Sequence, residues 1–346
     1  MTERTMTGEE LKTLRTTRKL SQDGLAKLLN EQTKRSYDRA KVSKWENGVD
    51  RIPDDVAALL RESSATVPTG IPTASTGPAT ILVVINQKGG VQKTGSVVNL
   101  AYLLSHKAKK KVLVVDCDAQ GSATIHLGMY PPDLEIEGKT LFHVLFRKKP
   151  ILESIVTTCD GLIDLVPSGI SLAKADTEIG AMTNGELRLN TVLGAVRDRY
   201  DVILLDCPPH LGKITISALN AANQVLIPSN PEMLSIMGIP AILESVEEVQ
   251  QTVNPDLSIL GILPTRYDQR RSQDKARMQD LAGVAADNGL HMFPPIKNAV
   301  IYVEGVNAGQ PALKLDPNAP GAEAFEEVME ALLEAAKQGK ETANVA

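Results

Sequence analysis

Short, almost purely aliphatic runs recur along most of this chain, and the stretches between them carry apolar residues at helical spacing. ILVVI (81–85), KVLVVD (111–116), LIDLVP (162–167), DVILLD (201–206), QVLIPSN (224–230), LSILGILPT (257–265) and HMFPPI (291–296) predict buried strands. Helical stretches such as SVVNLAYLLS (96–105) separate them. The pattern predicts an α/β fold, a parallel twisted sheet with helices on both faces. Ligands of such sheets bind beyond the carboxyl ends of the strands. Asp116 and Asp118 follow one of these runs, and Asp206 ends another.

The N-terminal part follows a helical rule throughout. Leu11, Leu14 and Leu20 precede Ser21, a natural N-cap for QDGLAKLL. Asp38 opens RAKVSKWENG, Gly48 supplies its stop, and Ile52-Pro53 leads into DDVAALLRE. Residues 1–62 therefore read as a small all-α domain. SSATVPTGIPTASTGPA (63–79) has no charge, three prolines and many Ser and Thr, the composition of a flexible linker. Residues 80–346 form the α/β domain, and no internal repeat is present.

Composition sharpens this division. A chain of 346 residues suits two domains, and 42% apolar residues suffice for a core. Aromatics at 3% argue against a surface that stacks exposed bases, so nucleic-acid contacts should be to phosphates or groove edges. The net charge of −5 conceals an asymmetry: residues 12–44 hold ten Lys/Arg against three Asp/Glu, leaving −12 on the remainder. A basic module on an acidic body suggests DNA binding. Cys117, Cys159 and Cys207 lie too far apart for a disulfide framework or zinc site. The start, MTERTMTGEELK, is no signal peptide, and no apolar run is long enough to span a bilayer, so a soluble cytoplasmic protein is expected.

NQKGGVQKTGS (86–96) carries the chemistry. It lies between a predicted strand and a predicted helix, the context of a phosphate loop, but Gln92 occupies the place of the glycine before the lysine. Either the site has decayed or it is a variant. The backbone amides of Gly89, Gly90, Val91, Gln92 and Gly95 and the helix N-terminus would attract phosphate, with Lys93 between the terminal phosphates. The Thr94 hydroxyl would join Mg²⁺, with Asp206 holding that ion through water and Asp116 beside it at the strand ends. Asp118 is placed to orient an attacking water.

KGGVQKT, VDCDAQGSAT, YDVILLDCPPHLG, PEMLSIMGI and LPTRYDQR resemble, in that order, the motifs of ParA/MinD-type ATPases with a deviant Walker A loop. The resemblance covers about residues 80–335. It implies an ATP- or ADP-binding, Mg²⁺-dependent ATPase that dimerises on ATP, partitions plasmid or chromosomal DNA, and is stimulated by a ParB-like partner. It implies that Lys88 is the signature lysine that reaches the partner subunit's phosphates, a device that supplies charge only when two subunits meet. Gln92 with Gly95 resembles the long plasmid partition ATPases, which carry an N-terminal DNA-binding domain. Arg266, Asp268 and the loop from Pro295 to Asn298 would flank the base. Departures are DAQGS (118–122) for the usual DPQGN, and His210 where Ser is common, beside the terminal phosphate.

LKTLRTTRKLSQDGLAKLLN and RAKVSKWENG resemble the repressor-class (XRE-like) helix-turn-helix. Arg39, Lys41, Ser43 and Lys44 would meet base edges and Gln22 a phosphate, while Val42 and Trp45 pack inward. NEQTKRSY inserts about six residues relative to a tight turn. Arg266, Arg270, Arg271, Lys275 and Arg277 make a second candidate DNA surface. A membrane-positioning role fails on the acidic tail EAFEEVMEALLEAAKQGKETANVA, and an iron-protein role on the lack of a cluster-binding cysteine loop. The remaining readings are a nucleoid-associated partition ATPase that also represses its own promoter, and a nucleotide-switched transcriptional regulator with little turnover.

Overall fold

The computed structural model describes residues 6–17, 22, 25–26, 29–30, 35–53, 56–57 and 78–345. The chain divides into two compact units, residues 1–71 and 72–346. The expected linker up to residue 77, the Ser21 cap, Leu20 and most of DDVAALLRE lie outside the described residues.

In the first unit, α1 (Gly8–Thr17) begins with a capping box: Glu10 N donates to Thr7 Oγ1 and Thr7 N to Glu10 Oε2. Helix α2 (Arg39–Glu46) is capped by Asp38, whose Oδ1 accepts from Lys41 N at 2.8 Å. Val42 and Trp45 are fully buried with Leu11, Leu25 and Leu29, which is the inward face the sequence predicts. Asn30 clips the segment ahead of α2 from both sides, accepting from Tyr37 N and donating to Tyr37 O. Gly8 lets α1 approach closely, since a Cβ there would lie 2.3 Å from the Trp45 carbonyl oxygen.

The second unit is built on seven strands: β1 (Thr80–Val84), β2 (Val112–Asp116), β3 (Val156–Thr158), β4 (Ile163–Val166), β5 (Val202–Asp206), β6 (Gln224–Ser229) and β7 (Ser258–Pro264). Their order is β3-β4-β2-β5-β1-β6-β7, and every neighbouring pair is parallel except β3 with β4. Alternate residues of β1 face two separate cores, Ile81 and Val83 one, Leu82 and Val84 the other. A sheet covered on both faces explains the unbroken aliphatic runs. Six of the seven expected strands form. HMFPPI does not join the sheet: Met292 makes a single bridge to Ile262, and Pro294 and Pro295 have no N–H for a ladder. The sheet also gains the antiparallel edge strand β3, so it is mostly rather than wholly parallel.

Register sets up the site. β5 pairs with both β1 and β2, with Val84 opposite Asp206 and Asp116 opposite Asp206. The loop after β1 and two carboxylates therefore meet at one carboxyl edge. Helix α3 (Lys93–His106) leaves that loop, and α4 (Ser122–His126) follows β2. Helix α5 (Ala322–Val345) packs against α3 and buries Phe325, Val328 and Leu332 in the core. No helix among the described residues is long and apolar enough to cross a membrane.

Candidate functional site

A cavity of about 430 Å³ opens over the loop after β1. Gly89, Gly90, Gln92, Lys93, Thr94 and Gly95 line it, with Asp118 and Arg266. Counting back from Lys93, both glycine positions of the G-x-x-x-x-G-K-T frame hold glutamine, Gln87 and Gln92. Gln92 nevertheless adopts the left-handed conformation a glycine would take, with φ 63° and ψ 29°. The loop thus keeps a phosphate-loop shape.

Lys93 is buried, and its ammonium folds back onto the loop, donating to the carbonyls of Asn86 (3.1 Å) and Lys88 (3.0 Å). Burial lowers its pKa, opposed by the Asp206 carboxylate. Thr94 Oγ1 donates to Asp206 Oδ2 at 2.7 Å, while Asp206 Oδ1 is buried without a hydrogen-bond partner. Burial, then the neighbouring Asp116, pushes the Asp206 carboxyl well above the usual carboxylate range. A hydroxyl beside an orphaned buried carboxylate oxygen is a donor set that fits a hard divalent cation.

Asp118 lines the cavity, with Oδ1 accepting from Gln120 N at 3.0 Å. Asp116, expected at the metal, is placed otherwise. It is fully buried off the cavity wall: Oδ2 accepts from Thr124 N (2.8 Å) and Thr124 Oγ1 (2.7 Å), and Oδ1 from Asp118 N (3.2 Å). These bonds fix the turn that carries Asp118, and Thr124 Oγ1 extends them by accepting from Ser168 N at 3.0 Å.

Lys88 does not line the cavity; its ammonium is paired with Glu232, whose other oxygen accepts from Asn230 Nδ2 at 2.6 Å. Val91 is buried beneath the loop, and its carbonyl accepts from Thr265 Oγ1 at 3.1 Å. Of the expected base contacts, Arg266 lies on the wall and donates to Gly90 O at 3.0 Å. Asp268 and Pro295 do not line it; Asp268 is bound by Arg270, which holds its carboxyl down at about 2. His210 also lies off the wall, 3.5 Å from Asp176. Asn298, at the end of the loop expected to flank the base, does line the cavity. The rest of the far wall, Tyr302, Val306 and Gln310, on and around α6 (Ile301–Ala308), had no counterpart in the sequence expectations. A tyrosine, a valine and a glutamine on and just past a short helix form no motif that would have marked them. Next to this wall, without lining it, Gly128 and Gly309 meet backbone to backbone, a Cβ on Gly309 falling 2.6 Å from Gly128 Cα.

In the first unit, Arg39 and Lys44 are exposed on α2, Ser43 is half-buried, and Lys41 pairs with Asp50 at 2.9 Å. Gln22, expected at a DNA phosphate, instead donates to Glu46 Oε2 at 2.8 Å. On the second basic surface, Arg270 and Arg271 reach Asp268 and Arg277 reaches Asp280, while Lys275 is exposed. These acids offset much of the charge the sequence suggested there.

Residues 79–259 match a family described as an AAA domain. The sporulation initiation inhibitor protein Soj of Bacillus subtilis is 35% identical over 245 residues, 71% of this chain and 94% of that protein. The chromosome partitioning protein ParA of Caulobacter vibrioides is 31% identical, covering 72% and 92%. Among solved structures, a cobyrinic acid a,c-diamide synthase from Mycobacterium smegmatis with bound ADP and magnesium is 33% identical, with TM-score 0.64 over 75% of this chain and 96% of that one. An ATP complex of Cyanothece McdA is 26% identical, with TM-score 0.65 over 74% and 97%.

Proposed function

The chain belongs to the ParA/MinD family of ATPases, and from that premise we propose that it is a DNA-partition ATPase using ATP and Mg²⁺. The observation that carries the proposal is the convergence of Lys93, Thr94 and Asp206 on one loop, with Asp118 on the same cavity wall. Relatives named for ADP- and ATP-bound structures support the nucleotide, and those named for chromosome partitioning support the role. The fold alone does not choose, since one similar structure is named for a synthase.

On this reading Lys93 leaves the carbonyls of Asn86 and Lys88 and turns its charge to the terminal phosphates. Thr94 and Asp206 are the residues that would hold Mg²⁺, which neutralises phosphate oxygens when bound. Asp118 orients the attacking water and accepts its proton. Lys88, tied to Glu232 in the single chain, is released when two subunits meet and supplies charge across the dimer. The first unit binds an operator through Arg39, Lys41, Ser43 and Lys44, and Arg270, Arg271 and Lys275 contact DNA non-specifically. A ParB-like protein accelerates turnover. The second reading, a nucleotide-switched transcriptional regulator, shares the exposed Arg39 and Lys44 but needs no acceleration.

Turnover measured with DNA and the candidate partner, each alone and together, separates the two. A slow basal rate that rises with both present is expected; equal rates under every condition would remove the partition reading. Lys93→Ala should abolish nucleotide binding and plasmid retention together.

A further inference from the structure

Gln92 keeps the backbone of a glycine, and that leaves its side chain to be accounted for. The chain lies across Gly95 on the first turn of α3: a Cβ on Gly95 would fall 2.8 Å from Gln92 Cγ and 3.5 Å from Nε2. Residue 95 can only be small while glutamine stands at 92, so the two form one unit. Gln92 Nε2 is buried and has no hydrogen-bond partner in the protein, yet Gln92, Gly95, Val98 and Asn99 all line the cavity. A buried amide donor left unpaired is unfavourable, and its presence in a cavity wall points to an acceptor on a ligand.

The neighbours say which part of the ligand. Lys93 serves the terminal phosphates, and Thr94 is committed to Asp206 and the cation position. Gly95, the next residue along the helix, lies under the Gln92 side chain; with Lys93 and Thr94 given to the terminal phosphates and the cation, the phosphate left to this amide is the one nearer the sugar. We propose that Gln92 Nε2 donates a hydrogen bond to the α-phosphate of the bound nucleotide, and that Gly95 exists to make room for it. The substituted glycine is then a gained ligand contact rather than a decayed loop. This rests on the nucleotide-binding reading above.

The test uses the full chain with Mg²⁺, measuring by calorimetry the affinity for ADP and for inorganic tripolyphosphate, and by thermal melting the ligand-free midpoint. Gln92→Leu should weaken both ligands about tenfold, the scale of one hydrogen bond to a charged group. It should leave the ligand-free midpoint unchanged or higher, because an unpaired amide has gone. Gln92→Glu, of the same shape but opposed in charge, should weaken both further. Gly95→Ala should weaken binding by displacing the amide, and add nothing in a Gln92→Ala background. A lowered ligand-free midpoint with unchanged affinity would make Gln92 a packing residue and overturn the proposal. Loss for ADP alone, with tripolyphosphate unaffected, would move the contact to the sugar and overturn the phosphate assignment. A wild-type chain that binds neither ligand would instead overturn the nucleotide reading itself.

Discussion

Replacing Glu46 with alanine should loosen the N-terminal unit. Glu46 closes α2 and receives Arg15 Nε at 2.5 Å and Nη2 at 3.2 Å from α1, and Gln22 Nε2 at 2.8 Å. Its side chain is 3% exposed and that of Arg15 14%, so solvent screens the pair only in part. Breaking a buried pair costs about 3–5 kcal/mol; discounted for the exposed edge of Arg15, about 2 kcal/mol is expected. A unit of this size has total stability on the order of 3–9 kcal/mol, so the loss is a large fraction. Trp45 makes the measurement clean: it is the chain's single tryptophan, fully buried, with Tyr37 edge-on at 5.0 Å. Its fluorescence reports this unit alone. With a urea slope of about 1 kcal/mol/M, the midpoint should fall by about 2 M. Acid should mimic the mutation. Burial alone would raise Glu46, but the hydrogen bonds from Arg15 and Gln22 outweigh it and hold the group below its ordinary value. A lowered pKa contributes stability above the unfolded value and loses it as pH falls through the folded one. Wild type should therefore weaken progressively below about pH 4.5, and Glu46→Gln should lack that component. A Glu46→Ala midpoint within about 0.5 M of wild type would refute the reasoning.

Four further changes probe the nucleotide site and its surroundings. Thr94→Val removes the 2.7 Å bond to Asp206 at constant shape, and should erase most of the Mg²⁺ dependence of nucleotide affinity, read by calorimetry with and without the ion. Thr124→Val strips one donor from buried Asp116 and orphans Ser168 N, which should cost about 2–4 kcal/mol and lower the melting midpoint by roughly 5–10 °C. Gly309→Ala introduces a Cβ 2.6 Å from Gly128 Cα at a backbone φ of +62°, so both nucleotide affinity and the midpoint should fall, whereas Gly89→Ala, with open space around it, should leave the midpoint intact.

The strands were legible because two-sided burial demands unbroken aliphatic runs, and six such runs stand where expected. Strand β3 was not, because Val156–Thr158 is short and half-exposed and imposes no pattern. HMFPPI misled by its apolar character, although its prolines argue against a ladder. Thr94, Asp118 and Asp206 were legible as candidates because phosphate chemistry requires such groups at strand ends, and the structure brings all three to the loop. Asp116 looked equivalent in sequence; only the Thr124 bonds reveal that it holds a turn instead. Gln22 likewise looked free for DNA until Glu46 was seen to hold it.

The meeting of Gly128 and Gly309 has a mechanical consequence. Most walls of a cavity yield under load by side chains changing rotamer, so their spacing can drift by small steps. Here two bare α-carbon segments touch, one just after α4 and the other at the end of α6, and neither has a rotamer to change. At this point the two segments can separate only as whole backbones. The contact thus sets how closely the ends of α4 and α6 approach, behind a wall that neither glycine lines.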